Sequence, residues 1–183
     1  MKKNKLLQLF SSGIRFSFLA TVLFSVCCCE NEPDVSGLTS GQRKEIESAV
    51  INRFNAMIKY AEAGDLENIF SHFDHSGTGS LIDGGTRFPT LQDMMDSFRP
   101  TWKVKSQDYG IPDTKIIVLS PSFVYVSSTS IINTTTRDGV VYQPRPWSVS
   151  TVWILKDGQW QIHSFHQFSG EAKPVEEKKP EDK

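Results

Sequence analysis

Apolar residues at helical spacing begin the folded part of the chain. Between residues 42 and 63 they recur every three or four positions, at Ile46, Ala49, Val50, Phe54, Met57, Ile58 and Ala61. This period places them on one face of a long amphipathic helix. Ser40 is the expected N-terminal cap, and Gly64 is expected to end the helix.

Two shorter helices are predicted next. Asp65 is positioned to cap a helix over residues 66–73, and Thr90 is positioned to cap one over residues 91–98 that ends before Pro100. Between these helices, residues 79–83 predict a short strand that leads into a turn of two glycines.

Beyond residue 100 the chain is rich in Val, Ile, Thr, Ser and aromatic residues, which favour strands. Turn residues separate five predicted strands, over residues 101–109, 115–119, 123–132, 140–155 and 159–168. Helices followed by an antiparallel sheet predict an α+β fold, in which three N-terminal helices pack on one face of a curved antiparallel sheet.

The composition supports a single folded domain and argues against nucleic acid as its partner. The chain has 183 residues, of which 38% are hydrophobic and 22% charged, and its formal net charge is -1. Four Trp and 12 Phe supply enough apolar surface for a core. The near-neutral balance argues against nucleic acid as a partner, because no basic excess is available to neutralise phosphates. The cysteines are adjacent, at positions 27–29, so they cannot cross-link distant segments.

The N-terminal segment indicates export. All charges within residues 1–29 are positive, and the apolar run over residues 16–26 is too short for a helix that spans a bilayer. The sequence LFSVCCCENE then resembles a bacterial lipoprotein signal, in which a lipid-modified cysteine becomes the mature N-terminus. Cys29 is the preferred lipidation site and Cys28 the alternative. An ordinary secretory signal with incidental cysteines is the other interpretation.

The lipoprotein resemblance implies membrane attachment through an N-terminal lipid anchor. The expected location is the outer membrane of a Gram-negative envelope, facing the periplasm or the cell surface, and the acidic ENE sequence resembles a surface-export signal of Bacteroidetes lipoproteins. The predicted division is a signal peptide over residues 1–28, a flexible tether over 29–40, a folded domain over 41–170 and a disordered charged tail over 171–183.

Three stretches of the folded part resemble the NTF2-like superfamily: AEAGDLENIFSHF, GSLIDGG and STVWILKDGQWQIHSFHQFSG. The SnoaL-like and DUF4440-like group is the most similar, together with the association domain of calmodulin-dependent kinases. The resemblance implies a cone-shaped α+β domain whose sheet lines a pocket on one face and pairs in a homodimer on the other. It implies no single activity, because the superfamily hosts isomerases, dehydratases, cyclases and binding domains.

His166 and Asp83 are the candidate acid–base residues. His166 matches the histidine that ends the family pattern, and strand alternation places it with Trp160 on the pocket face. A histidine hydrogen-bonded within the core is the alternative. Asp83 lies near the position of the catalytic aspartate of ketosteroid isomerases, where burial raises a carboxyl pKa and favours a general base. A turn residue ahead of two glycines is the alternative for Asp83.

Four aromatic residues complete the predicted ligand pocket: Trp102, Tyr109, Tyr142 and Trp147. The last two flank the sequence YQPRPW, whose prolines disturb regular strand pairing. This segment is expected to bulge or to form an edge, either at the pocket mouth or in a hairpin that crosses between subunits.

The chain lacks a complete catalytic set. The position of the isomerase tyrosine holds Met57, and the positions of the arginines in the kinase association domain hold Ser127 and Thr151. His72 and His75 have no clear third ligand, so neither a metal nor another cofactor is predicted.

Three functions remain open. The leading interpretation is a domain that binds a small, mostly apolar ligand or a partner protein without catalysis. The rival is a SnoaL-like isomerase, dehydratase or hydrolase that uses Asp83 and His166 as acid and base. The third is an assembly module that pairs through its open sheet face.

Overall fold

The computed structural model describes residues 37–77 and 79–175. Cys28, Cys29 and the expected signal peptide lie outside the described residues, as do residues 176–183. The elements are α1 (Ser40–Glu62), α2 (Leu66–Phe70), β1 (Leu81–Asp83), β2 (Thr86–Phe88), α3 (Leu91–Phe98), β3 (Val104–Asp108), β4 (Asp113–Ser120), β5 (Phe123–Thr136), β6 (Val141–Lys156) and β7 (Gln159–Ser169).

Each helix begins at a side chain that accepts a hydrogen bond from a free backbone amide of its first turn. Thr39, one residue before the expected Ser40, caps α1 through the amide three residues later at 3.2 Å. The predicted caps of the other two helices, Asp65 for α2 and Thr90 for α3, are confirmed. None of the helices in the described ranges has the length and apolar content of a membrane span.

The strands form one seven-stranded sheet, two of whose strands, β1 and β2, precede α3 in the chain. Its strand order is β2-β1-β7-β6-β5-β3, and β4 also pairs with β5. The predicted α+β class with helices on a curved sheet is confirmed, but the sheet is mixed because β1 pairs parallel with β7. The sequence prediction lacked β2, which forms a hairpin with β1 across Gly84 and Gly85. Both glycines have positive φ, at 54° and 85°, as a tight two-residue hairpin requires.

The core lies between the helices and the sheet. The predicted apolar face of α1 is buried from Val50 to Ala61, with Phe54 only 1% exposed, whereas Ala49 is exposed. Trp153 on β6 is fully buried. Val124 and Val126 on β5 face the same side as Trp153. Removing these large side chains from water is the main source of stability for the domain, at about 1.5–3 kcal/mol for each aliphatic or Phe side chain.

A β-bulge in β7 changes which of its side chains face the helices. Ile162 pairs with Trp153, but Ser164 pairs with Val152, so His163 is the extra residue. The even-numbered residues before the bulge are buried, whereas after the bulge the odd-numbered ones face inward.

A second bulge lies in β6 at residues 143–144. Tyr142 pairs with Thr134 and Arg145 pairs with Ile132, so β6 has one residue more than β5 between these pairs. Thr134 and Ile132 are both buried on the inner face, and their partners therefore face inward as well. The predicted disturbance at the two prolines is confirmed as a bulge, although β6 continues through it.

Strand pairing continues past the predicted domain end at residue 170. The amide of Gln143 donates to Lys173 O, and the amide of Val175 donates to Val141 O, each at 2.8 Å. Residues 173–175 therefore run beside the start of β6, although this segment was expected to belong to a disordered tail.

Candidate ligand cavity

A cavity of about 400 Å³ lies between the helices and the inner face of the sheet. All three helices and the sheet contribute apolar wall, including Met57, Ile58, Phe70, Met94, Phe98 and Ile132. The polar lining comes mainly from the strands and their connections, and includes Asp83, Gln107, Thr134, Arg145 and Gln167. Apolar walls with a few convergent polar groups are typical of small-molecule sites of this size.

The four predicted aromatic residues all line this cavity. Tyr109 and Trp147 are buried and pack edge to face, with 4.8 Å between ring centroids and 76° between the ring planes. Trp102 is fixed by a hydrogen bond of 2.9 Å from its Nε1 to Gly64 O. Tyr142 reaches the cavity because of the bulge in β6.

Asp83 also lines the cavity. Gln167 Nε2 donates a hydrogen bond of 2.9 Å to Asp83 Oδ1, and Trp147 Nε1 donates one of 3.0 Å to Gln167 Oε1. Burial raises the pKa of the Asp83 carboxyl, and the Gln167 bond opposes this rise only in part. Asp83 is therefore a carboxylate in a partly apolar site with one side-chain donor.

His166 lies elsewhere, so the expectation that it faces the pocket is wrong. It is exposed and does not line the cavity, although its neighbours Phe165 and Gln167 do. The bulge at His163 turns this half of β7 over, which strict alternation did not anticipate. The alternative of a histidine hydrogen-bonded in the core does not describe this exposed position either.

A second cluster of polar side chains in the cavity lies around Arg145. Arg145 was not among the residues predicted from the sequence. Arg145 Nη2 donates to Thr134 Oγ1 at 3.0 Å, and the guanidinium lies 5.7 Å from the centroid of the Tyr142 ring. Tyr109 donates from its hydroxyl to Gln107 Oε1 at 2.8 Å. Burial lowers the pKa of Arg145 and raises that of Tyr109, so the hydroxyl is neutral at physiological pH. The sequence signal for Arg145 was its place in the irregular YQPRPW segment.

His72 and His75 contact backbone carbonyls of α2. His72 Nδ1 lies 2.8 Å from Asn68 O, and His75 Nε2 lies 3.2 Å from Phe70 O. No group of three or more His, Cys, Asp or Glu side chains suited to a metal ion occurs within residues 37–77 and 79–175.

Asp74 is buried outside the cavity and holds a loop against the sheet. It accepts hydrogen bonds from Ser76 N at 3.0 Å and Ser76 Oγ at 2.8 Å, and Lys156 Nζ lies 3.2 Å away. Burial raises the pKa of this carboxyl, but the Ser76 bonds and the Lys156 ion pair outweigh burial and bring it to about 2.

Chemically, the cavity can accommodate an apolar body and contact polar groups at two places. Asp83 can accept a proton or a hydrogen bond, and Arg145 can donate hydrogen bonds to acceptor oxygens. His166 is on the outer face of the sheet, so it is not available as an acid–base partner for Asp83.

Sequence comparison gave no relative. No protein-family model matches the chain, and no curated protein matches it. The structural comparison did give matches, at low sequence identity.

Three solved structures illustrate the similarity. An NTF-2 like protein of unknown function from Shewanella oneidensis has a TM-score of 0.54 and 12% identity, covering 67% of this chain and 98% of that one. A ketosteroid isomerase-like protein from Erwinia carotovora atroseptica has a TM-score of 0.55 and 13% identity, covering 67% and 94%. A hexachlorocyclohexane dehydrochlorinase from Novosphingobium barchaimii has a TM-score of 0.58 and 8% identity, covering 75% and 94%.

At sequence identities this low, structural similarity shows a shared fold but not a shared activity. The shared feature is the fold, with helices packed on a curved, unclosed sheet. The domain described by residues 37–175, apart from residue 78, has the NTF2-like fold.

Proposed function

We propose that this protein binds a small, mostly apolar molecule in the cavity between its helices and sheet. The observation that carries the proposal is the cavity of about 400 Å³ with aromatic and aliphatic walls. Its volume lies within the usual range for small-molecule sites, about 300–1,000 Å³. Trp102 and Trp147 both contact this space, so their fluorescence reports on an occupant.

The test is titration of the full chain with N-phenyl-1-naphthylamine, a neutral apolar fluorophore. We expect one binding site, with energy transfer from the cavity tryptophans. Ala61→Phe places a ring in the cavity from α1 and is expected to abolish binding. Ala49→Phe makes the same change at an exposed position of the same helix and should leave binding intact. Equal binding by both folded variants, or no binding by the wild type, contradicts the proposal.

Proton transfer by Asp83 is a second candidate function. It is supported by the Asp83 carboxyl, which lines an apolar cavity and whose pKa is raised by burial. Because His166 is exposed on the outer face, this candidate uses Asp83 without His166.

A suitable probe reaction is the ring opening of 5-nitrobenzisoxazole, which requires only removal of one proton by a base. A rate that is lost in Asp83→Asn and unchanged in His166→Gln supports the candidate. A rate no faster than that of acetate at equal concentration removes it.

We further propose membrane attachment through a lipid on Cys29, with Cys28 as the alternative, at the outer membrane of a Gram-negative envelope. The support is the LFSVCCCENE sequence after a short apolar run. Several acyl chains on one residue anchor a protein stably, as a single chain does not. Expression in a Gram-negative host followed by membrane fractionation tests this. Cys29→Ser, or else Cys28→Ser, is expected to move the protein to the soluble fraction.

We also propose a homodimer formed through the outer face of the sheet. The support is a set of large apolar side chains that remain exposed there, with Ile131 at 53% and Phe168 at 57%. Light scattering at micromolar concentration tests the proposal, with Phe168→Asp as the disrupting variant. A wild-type mass equal to that of one chain contradicts it.

A further inference from the structure

Arg145 carries buried donors that the protein itself does not satisfy. Its Nε and Nη1 atoms are buried without a hydrogen-bond partner among the described residues, and only Nη2 has one, Thr134 Oγ1 at 3.0 Å. Buried donors of a charged group normally have partners, because leaving them unpaired costs several times more than an average hydrogen bond contributes.

No carboxylate in the described part of the chain compensates for this charge. None lies within 4.0 Å of the guanidinium. The two carboxylates that line the cavity are engaged elsewhere: Asp83 accepts a hydrogen bond from Gln167, and Asp138 accepts one from Thr136 Oγ1. An arginine with buried donors and no anion beside it is rare, since arginine stays charged in proteins.

The surroundings of Arg145 hold its side chain toward the cavity. Arg145 pairs with the buried Ile132 and alternates inward with Trp147 and Val149 along β6, and the prolines on either side fix two neighbouring φ angles. The Tyr142 ring lies 5.7 Å from the guanidinium carbon and favours the cation.

Resting on the proposed ligand-binding function, we infer that the ligand is an amphipathic organic acid. Its apolar body occupies the aromatic part of the cavity, and its anionic oxygens accept hydrogen bonds from the Arg145 guanidinium, which turns to bring its unpaired Nε and Nη1 to the ligand. Charge-assisted hydrogen bonds of this kind are about twice as strong as neutral ones. Arg145 thereby selects acids over neutral molecules of the same shape.

The test uses two fluorophores with the same skeleton. One is 8-anilinonaphthalene-1-sulfonate, and the other is N-phenyl-1-naphthylamine, which lacks the sulfonate. The full chain is compared with Arg145→Gln and with Arg137→Gln, which removes the same charge from an exposed turn residue that does not line the cavity. Thermal unfolding of each variant shows that it is folded.

We expect the wild type to bind the sulfonate more tightly than the neutral compound. Arg145→Gln should weaken sulfonate binding by about tenfold or more, which is about 1.4 kcal/mol. Binding of the neutral compound should stay unchanged in that variant, and Arg137→Gln should bind both compounds like the wild type.

Two results separate the inference from the function on which it rests. If Arg145→Gln binds the sulfonate as tightly as the wild type, while the neutral compound binds to all three proteins, the inference is overturned and the cavity remains a ligand site. If neither compound binds to the wild type, the proposed function itself fails. If Arg145→Gln does not fold, the two compounds are compared on the wild type alone. Binding of the sulfonate that is equal to or weaker than binding of the neutral compound then overturns the inference.

Discussion

Gln167 donates a hydrogen bond of 2.9 Å from its side-chain amide to Asp83 Oδ1. The two residues are register partners on the parallel strands β7 and β1, so both side chains face the cavity. The raised pKa of Asp83 shows that this single bond does not compensate for the burial of its charge. The ionised carboxylate therefore destabilises the fold relative to its protonated form.

A pH dependence follows from the Asp83 shift. Below the ordinary aspartate pKa of about 3.9, Asp83 is protonated in both the folded and the unfolded chain and contributes no difference. As pH rises from there through the raised native pKa, the folded state holds more protons, so stability falls. The Asp83→Asn variant has no carboxyl at this position and does not lose stability in this way. In urea unfolding, we expect wild type to become less stable relative to Asp83→Asn as pH rises. A relative gain would mean that the native pKa is lowered.

Gln167 is expected to stabilise the domain through both of its bonds. Gln167→Leu leaves Trp147 Nε1 without its acceptor and Asp83 without its donor. The expected loss is about 1–3 kcal/mol at neutral pH, which urea unfolding measures. Gln161→Leu on the outer face of the same strand is the matched control and should change the stability little. An equal effect of the two substitutions would show that the buried bonds contribute nothing.

Much of the architecture was predictable because it depends on local patterns. The apolar spacing along α1 and the caps at Asp65 and Thr90 were recognised from residues close in sequence. The aromatic lining by Trp102, Tyr109, Tyr142 and Trp147 was also recognised, although the aromatic side chain of Phe168 near the end of β7 is exposed.

The polar part of the cavity was not predictable in the same way. His166 and Gln167 exchange faces because one extra residue, His163, is inserted opposite β6. A one-residue shift reverses every side chain that follows it, and nothing in the local composition of β7 marks the position of the insertion. Tyr142 faces inward for the same reason, through the bulge in β6. Register depends on the partner strand, which local patterns do not contain.

Arg145 should make the empty domain less stable. Arg145→Met keeps an unbranched chain of similar length and removes donors that have no partner. We expect a gain of about 1 kcal/mol, or a rise in Tm of about 3 °C, in thermal unfolding without ligand. Arg137→Met at the exposed turn is the control. A loss of stability of the same size would show that the contacts with Thr134 and Tyr142 already compensate for the buried charge.

Ionised Asp74 should stabilise the folded state, whereas ionised Asp83 destabilises it. Its pKa of about 2 lies below the ordinary value, so its contribution is present above about pH 4 and is lost as pH falls toward the native pKa. Asp74→Asn is expected to cost about 2 kcal/mol near neutral pH, with the difference from wild type shrinking toward pH 2. Asp113→Asn, at an exposed strand start, is the control. A loss that does not vary with pH would assign the effect to packing.

The end of α1 approaches β3 closely at Gly64, and the substitution Gly64→Ala tests this contact. It has φ of 68°, and a Cβ there would lie 2.5 Å from Val104 O. Gly110 has a similar φ of 58°, but a Cβ there meets nothing within 4 Å. Gly110→Ala should cost about 1–2 kcal/mol from backbone strain alone, and Gly64→Ala about 2 kcal/mol more, because the backbone must move. Trp102 donates to Gly64 O, so only Gly64→Ala should also weaken binding of N-phenyl-1-naphthylamine. Equal losses from both substitutions would show that α1 and β3 separate easily.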